Sequence, residues 1–187
     1  SNYYFQKSAY AANVDGNLAE AELYATRALS FDKLDAYYRL LGQIYFVNVG
    51  SILNNQTLSA EELRNQFTTA LQKLADSANR AEAADPKNYQ NYQFSGQIFE
   101  ALIPLNIPGV NAYAQALSKY NQALTLNPHN PTLYLTLARL EIANKDNKKA
   151  KEYIAKALKE KTNYTDAVFL LSQIQVQEGD LRSAIQS

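Results

Sequence analysis

The chain has 187 residues, with 18 lysines and arginines balanced by 18 aspartates and glutamates, and it contains no cysteine and no methionine. That length holds one well-buried domain or a short repeat array; the balanced charge supplies no field toward nucleic acid or anionic lipid, and the missing cysteine excludes disulfides, thiol catalysis and cysteine-held metal. No run reaches the roughly 18 to 20 consecutive apolar residues that span a bilayer. The missing initiator, an opening Ser1-Asn2 of the kind tag removal leaves, and a closing "LRSAIQS" that stops inside an amphipathic pattern read as a segment of a longer protein.

In chain order, "YFQKSAYAA" at residues 4–12 predicts a first helix, and Ala21, Ala25 and Ala28 give a second its small-residue face. A third helix carries "LLGQIYF" at residues 40–46 and continues past Gly50 to about Asn54. Ser59 followed by Glu62 is a capping box, with Leu58 and Leu63 placed as its hydrophobic staple, so a long helix is expected over 60–84 with Leu74, Ala78 and Ala81 inward. The two long helices make a hairpin that overhangs its neighbours by about 15 Å, and Ile52, Leu53, Leu63 and Phe67 are expected to be buried in it. "FSGQIFE" at 94–100 then repeats the earlier phrase. The stretch "ALIPLNIPGVNAYAQA", with Pro104 and Pro108-Gly109, predicts a loop. That loop is apolar for its class, and two readings stay open: it completes the core of the hairpin, or it exposes a patch that docks a partner. Helices follow around Ala116, Tyr120 and Ala123, around Tyr134 to Ala138, around Ala150, Ile154 and Ala157, and around "VFLLSQIQV".

The small residues Ala9, Gly42, Gly96, Ala138 and Ser172 recur at intervals of 33, 54, 42 and 34. Nearly all the irregularity falls inside the second and third units, between their first and second helices. A period near 34 is that of a two-helix repeat. Gly42 and Gly96 lie mid-helix without the glycine-rich company of a phosphate loop, so they read as close-packing points for the second helix of each pair.

Tyr38-x-x-Leu41-Gly42-x-x-Tyr45 and Tyr92-x-x-Ser95-Gly96-x-x-Phe99 resemble the first-helix motif of the tetratricopeptide repeat family, and Pro86 and Pro128 match its closing proline. The resemblance implies an all-α solenoid of antiparallel helix pairs, A and B, in a right-handed superhelix. The repeats would be 2–34, 35–88 with extended helices, 89–130 with an inserted loop, 131–164 and a truncated 165–187, all in one domain. It also implies a non-enzymatic scaffold binding a protein or peptide, without cofactor or metal, in a concave groove lined by helix A residues. Carried over, these are Tyr3, Gln6, Tyr10, Arg39, Gln43, Phe46, Gln93, Gln97, Glu100, Arg139, Ile142, Phe169, Gln173 and Gln177. The same positions also suit plain solvated faces or a carbohydrate. The lysine and asparagine set that grips a peptide's terminal carboxylate in chaperone-binding members is missing. Arg39→Ala and Gln97→Ala are expected to weaken a ligand and leave stability unchanged.

Residues 101–143 and "NYTDAVFLLSQIQV" further resemble carboxy-terminal repeat domains of bacterial membrane proteins similar to O-antigen ligases and polymerases. That resemblance implies an extracytoplasmic accessory domain of a glycan-assembly protein.

The remaining chemistry is sparse. His129, the one histidine, sits in the turn "NPHNP", and no paired carboxylates or metal-ligand spacing stand out. Lysines from 145 to 161 form a basic stretch, but Glu152 and Glu160 interleave at helical spacing with Lys148 and Lys156, so it reads as a solvated outer face. The apolar end at Leu181, Ala184 and Ile185 is expected to fray or self-associate, because terminal repeats need a polar cap.

Overall fold

A computed structural model describes residues 1–180. Among them the elements are α1 (Asn2–Asn13), α2 (Leu18–Leu29), α3 (Asp35–Leu53), α4 (Ala60–Ala84), α5 (Tyr89–Leu102), a single 3-10 turn (Ile103–Leu105), α6 (Ala112–Leu126), α7 (Pro131–Ala143), α8 (Asn147–Glu160) and α9 (Thr165–Gln177). The described residues contain no strand. Side chains of Asn17, Ser59, Asn111, Asn130 and Asp146 accept a hydrogen bond from the first turn of α2, α4, α6, α7 and α8 respectively, so polar punctuation starts each of those helices. The chain divides into two compact units, Ser1–Phe94 and Ser95–Ser187, within α5.

In the first unit α1 packs on α2, α2 on α3 and α3 on α4. Ala11, Ala21, Ala25, Leu40 and Ile44 form its core, with Phe5 and Leu41 against them. Small residues on α2 allow this approach, and the neighbouring helices supply the volume. Gly42 marks the tightest point: a Cβ there would lie 2.6 Å from the Phe94 ring and 2.8 Å from Ser77 Oγ. The long hairpin forms with the expected limits. Ser59 Oγ accepts from the Glu62 backbone N–H, and the Glu62 carboxylate accepts from the Ser59 N–H at 2.9 Å. One inward assignment is corrected: Leu53 is exposed, while Ile52 is buried and Leu63 and Phe67 are half-buried. Successive helical residues point about 100° apart, so Ile52 facing α4 turns Leu53, the last residue of α3, toward solvent.

In the second unit Ala116, Tyr120, Leu137 and Leu140 form one cluster, and Leu135, Ala138, Ala150, Ile154, Ala157, Ala167 and Ile174 another. A Cβ on Gly96 would stand 2.5 Å from the Tyr120 ring. The inserted stretch is irregular only between Ile103 and Asn111, with one 3-10 turn, because α5 runs on through Leu102 and α6 already starts at Ala112; Asn106 and Gly109 in it are at positive φ. Leu102 is buried and Ile103 packs against the Tyr120 cluster, whereas Leu105 and Val110 are exposed. The expectation for Leu181, Ala184 and Ile185 lies outside the described residues.

Candidate functional site

The helix A residues of the first unit divide into exposed and engaged groups. On α1, Tyr3, Gln6 and Tyr10 are exposed along one face, and on α3 Gln43 is exposed with Phe46 half-buried. Gln93 on α5 is half-buried. Lys7 lies among the tyrosines, its Nζ 5.2 Å from the Tyr3 ring centre and 5.3 Å from that of Tyr24. A hydrogen bond to Tyr3 and the proximity of Tyr24 raise the Lys7 pKa above its ordinary value.

Arg39 is different. Its guanidinium pairs with Asp35 at 2.5 Å, bonds to Asn91 Oδ1 and reaches Gln90 Oε1 at 3.2 Å. Asn88 also donates to Asp35, at 2.8 Å. Asn91 is fully buried, and its amide nitrogen closes the end of α4 by donating to the carbonyls of Ala81 and Asp85. Burial raises the Asp35 pKa, but the hydrogen bond and charge of Arg39, with donors from Asn88 and the Ala36 backbone, outweigh it and hold the carboxyl below its ordinary value. Arg39 therefore ties α3 to α5, and the expectation that Arg39→Ala spares stability is corrected. Sequence reasoning missed the network because Gln90 and Asn91, which join Arg39 to α5, lie more than 50 residues from it.

In the second unit Gln97, Arg139, Phe169, Gln173 and Gln177 are exposed, and Ile142 is half-buried against the Ala138 cluster. Glu100 accepts from the Tyr120 hydroxyl at 2.5 Å. Burial, with Glu100 next, pushes the Tyr120 pKa far above the usual phenol value. Buried Glu141 accepts from the Tyr113 hydroxyl at 2.9 Å.

His129 is exposed, with Nδ1 3.0 Å from Glu160. Lys148, Glu152, Lys156 and Glu160 are exposed, as a solvated helix face requires, and ion pairs in the lysine-rich stretch join Lys149 to Asp146 and Lys151 to Glu178. No group of three or more His, Asp or Glu among the described residues could hold a metal ion, and no helix among them is long and apolar enough to cross a membrane.

Residues 110–163 match the family model described as "Tetratricopeptide repeat". Over 99% of the chain and 72% of its counterpart, the fold superposes on pilF of Pseudomonas aeruginosa with a TM-score of 0.72 at 18% identity. The chain has the tetratricopeptide-repeat fold. Two further structures agree in fold: a thermophilic TPR protein of Thermus thermophilus, with a TM-score of 0.68 at 16% identity over 99% of this chain and 86% of that one, and MamA of Desulfovibrio magneticus, with 0.67 at 14% over 99% and 89%. No curated protein matches the chain at a significant level. In tetratricopeptide-repeat terms α1, α3, α5, α7 and α9 are helices A, and α2, α4, α6 and α8 are helices B.

Proposed function

We propose that this chain is a non-catalytic protein-interaction scaffold that holds an extended peptide segment of its partner against helix A faces. The supporting observation is the sidedness of those helices. Within the second unit Gln97, Gln173, Gln177 and Phe169 are exposed, while Gly96, Ile98, Ala167 and Ile174 on the same helices are buried. Each amide offers both a donor and an acceptor, which matches the alternating N–H and C=O groups of an extended main chain. Phe169 adds a large ring whose burial gains energy only when something covers it. Without a cluster of lysine and asparagine to grip a terminal carboxylate, the scaffold takes an internal segment rather than a chain end.

Selection of peptides from a displayed library against the protein provides the test. Gln97→Ala and Phe169→Ala are each expected to weaken the selected peptide about tenfold or less while Tm moves by no more than about 1 °C, since neither change opens a core. Unchanged affinity in both variants would overturn the reading. Arg39→Ala is unsuitable here because of its structural partners.

A further inference from the structure

We propose that Asn55, at the tip of the hairpin of α3 and α4, is an acceptor of asparagine-linked glycosyl transfer. Two segments, Asn55-Gln56-Thr57 and Asn163-Tyr164-Thr165, match the Asn-x-Ser/Thr acceptor pattern. So short a pattern recurs by chance, and local structure separates the two. Leu53 to Thr57 are all exposed, and residues 54–59 join α3 to α4 outside either helix. Asn55 Oδ1 accepts from the Thr57 backbone N–H at 3.0 Å and from the Thr57 hydroxyl at 2.7 Å. The hydroxyl that the pattern requires is thus already joined to the amide that reacts. Two donors on one oxygen hold the amide in a single orientation and stabilise negative charge there, which acidifies the Nδ2 protons. Nδ2 itself donates to no protein group among the described residues, so both of its protons are available.

The second segment is built into a helix. Thr165 opens α9, the Tyr164 N–H donates to the Lys161 carbonyl at 3.2 Å, and the Tyr164 carbonyl accepts from the N–H groups of Ala167 and Val168 at 2.9 and 3.1 Å. Lys161 Nζ also stands 4.7 Å from the Tyr164 ring centre. Drawing that segment into a transferase breaks the first turn of α9, whereas the exposed tip at Asn55 yields only its own turn. In the transfer, Nδ2 attacks C1 of the donor sugar. The bond from C1 to a diphosphate oxygen breaks, its electron pair leaves on the diphosphate, and one Nδ2 proton passes to a base of the transferase. The product is a secondary amide. The donor is therefore a sugar activated by diphosphate at C1, carried either by a polyprenyl lipid or by a nucleotide.

Peptide mapping by mass spectrometry of the protein isolated from its own cells tests the site directly. A sugar on Asn55 is expected, and a bare Asn55 would overturn the proposal. To identify the carrier, the folded chain is given to a membrane oligosaccharyltransferase with a polyprenyl-diphosphate oligosaccharide, and separately to a soluble asparagine glycosyltransferase with UDP-glucose. The arm that loads Asn55 names the source. Thr57→Ala and Thr57→Val are each expected to slow transfer about tenfold or more, with Thr57→Ser retaining it. Thermal melts confirm that the variants are folded, since an exposed tip residue moves Tm little. Asn163 is expected to accept sugar only once urea has unfolded the chain. Transfer that ignores the loss of the Thr57 hydroxyl, or equal transfer to both asparagines in the folded chain, contradicts the proposal as well.

Discussion

Gly42, Gly50 and Gly96 all lie within helices, yet the space around them differs. A Cβ at Gly96 would meet the Tyr120 ring at 2.5 Å, and one at Gly50 would meet nothing within 4 Å. Gly96→Ala is therefore expected to cost about 1–3 kcal/mol by overpacking a fully buried ring. Gly50→Ala is expected to stabilise the chain by about 0.5–1 kcal/mol through helix propensity; urea unfolding measures both. Asp35 makes a pH prediction. Its folded pKa lies below the ordinary value of 3.8, so its contribution is complete above that pH and is lost as pH falls below it toward the folded value. Asp35→Asn should lower stability at neutral pH and flatten the acid limb of a plot of Tm against pH. Packing at this scale was legible: Gly42 and Gly96 stood out by their phrase, and both are contact points. The Arg39 network was not, because an exposed-looking helix A position says nothing of a buried asparagine on the next repeat.

At the scale of elements, start signals carried most of the information. Ser59 and Glu62 fixed the first turn of α4 in advance because a capping box satisfies backbone donors that nothing else can. Ser59→Ala is expected to cost about 1 kcal/mol, appearing as faster hydrogen exchange in the first turn of α4 before any global unfolding. Proline and glycine likewise marked the insertion after α5 as a loop, although its 3-10 turn left no signal distinct from the loop itself. Periodicity was less informative at helix ends: Leu53 was assigned inward for being apolar, and one residue of rotation settled the matter against it. Exposure at the candidate residues was partly legible: Tyr3, Gln6 and Tyr10 lie exposed on α1, whereas Arg39 is engaged by Asp35 and Asn91 and Glu100 by Tyr120, contacts that a helix A template does not sample.

For the molecule as a whole, the formal net charge is zero and the sequence pI is about 6.6. Solubility should pass through a minimum near that pH, where mutual repulsion vanishes, and light scattering across pH 5 to 9 would detect it. The two units each carry their own core, so unfolding is expected to depart from a single all-or-none step, seen as a mismatch between calorimetric and van't Hoff enthalpies. The fold was readable because repetition is a property of the whole string, but the inside of each repeat is individual. Gly96 faces Tyr120, whereas the corresponding positions in the next repeat are Ala138 and Ile154, a larger residue on helix A and a smaller one on helix B. The double change Gly96→Ala with Tyr120→Ile should therefore cost less than the sum of its parts in a double-mutant cycle. The same pairing sets rules of inheritance for the gene. A duplication or exchange that breaks the chain between Leu126 and Pro131 moves each matched pair intact, whereas a crossover between Gly96 and Tyr120 separates partners and delivers either a clash or a hole.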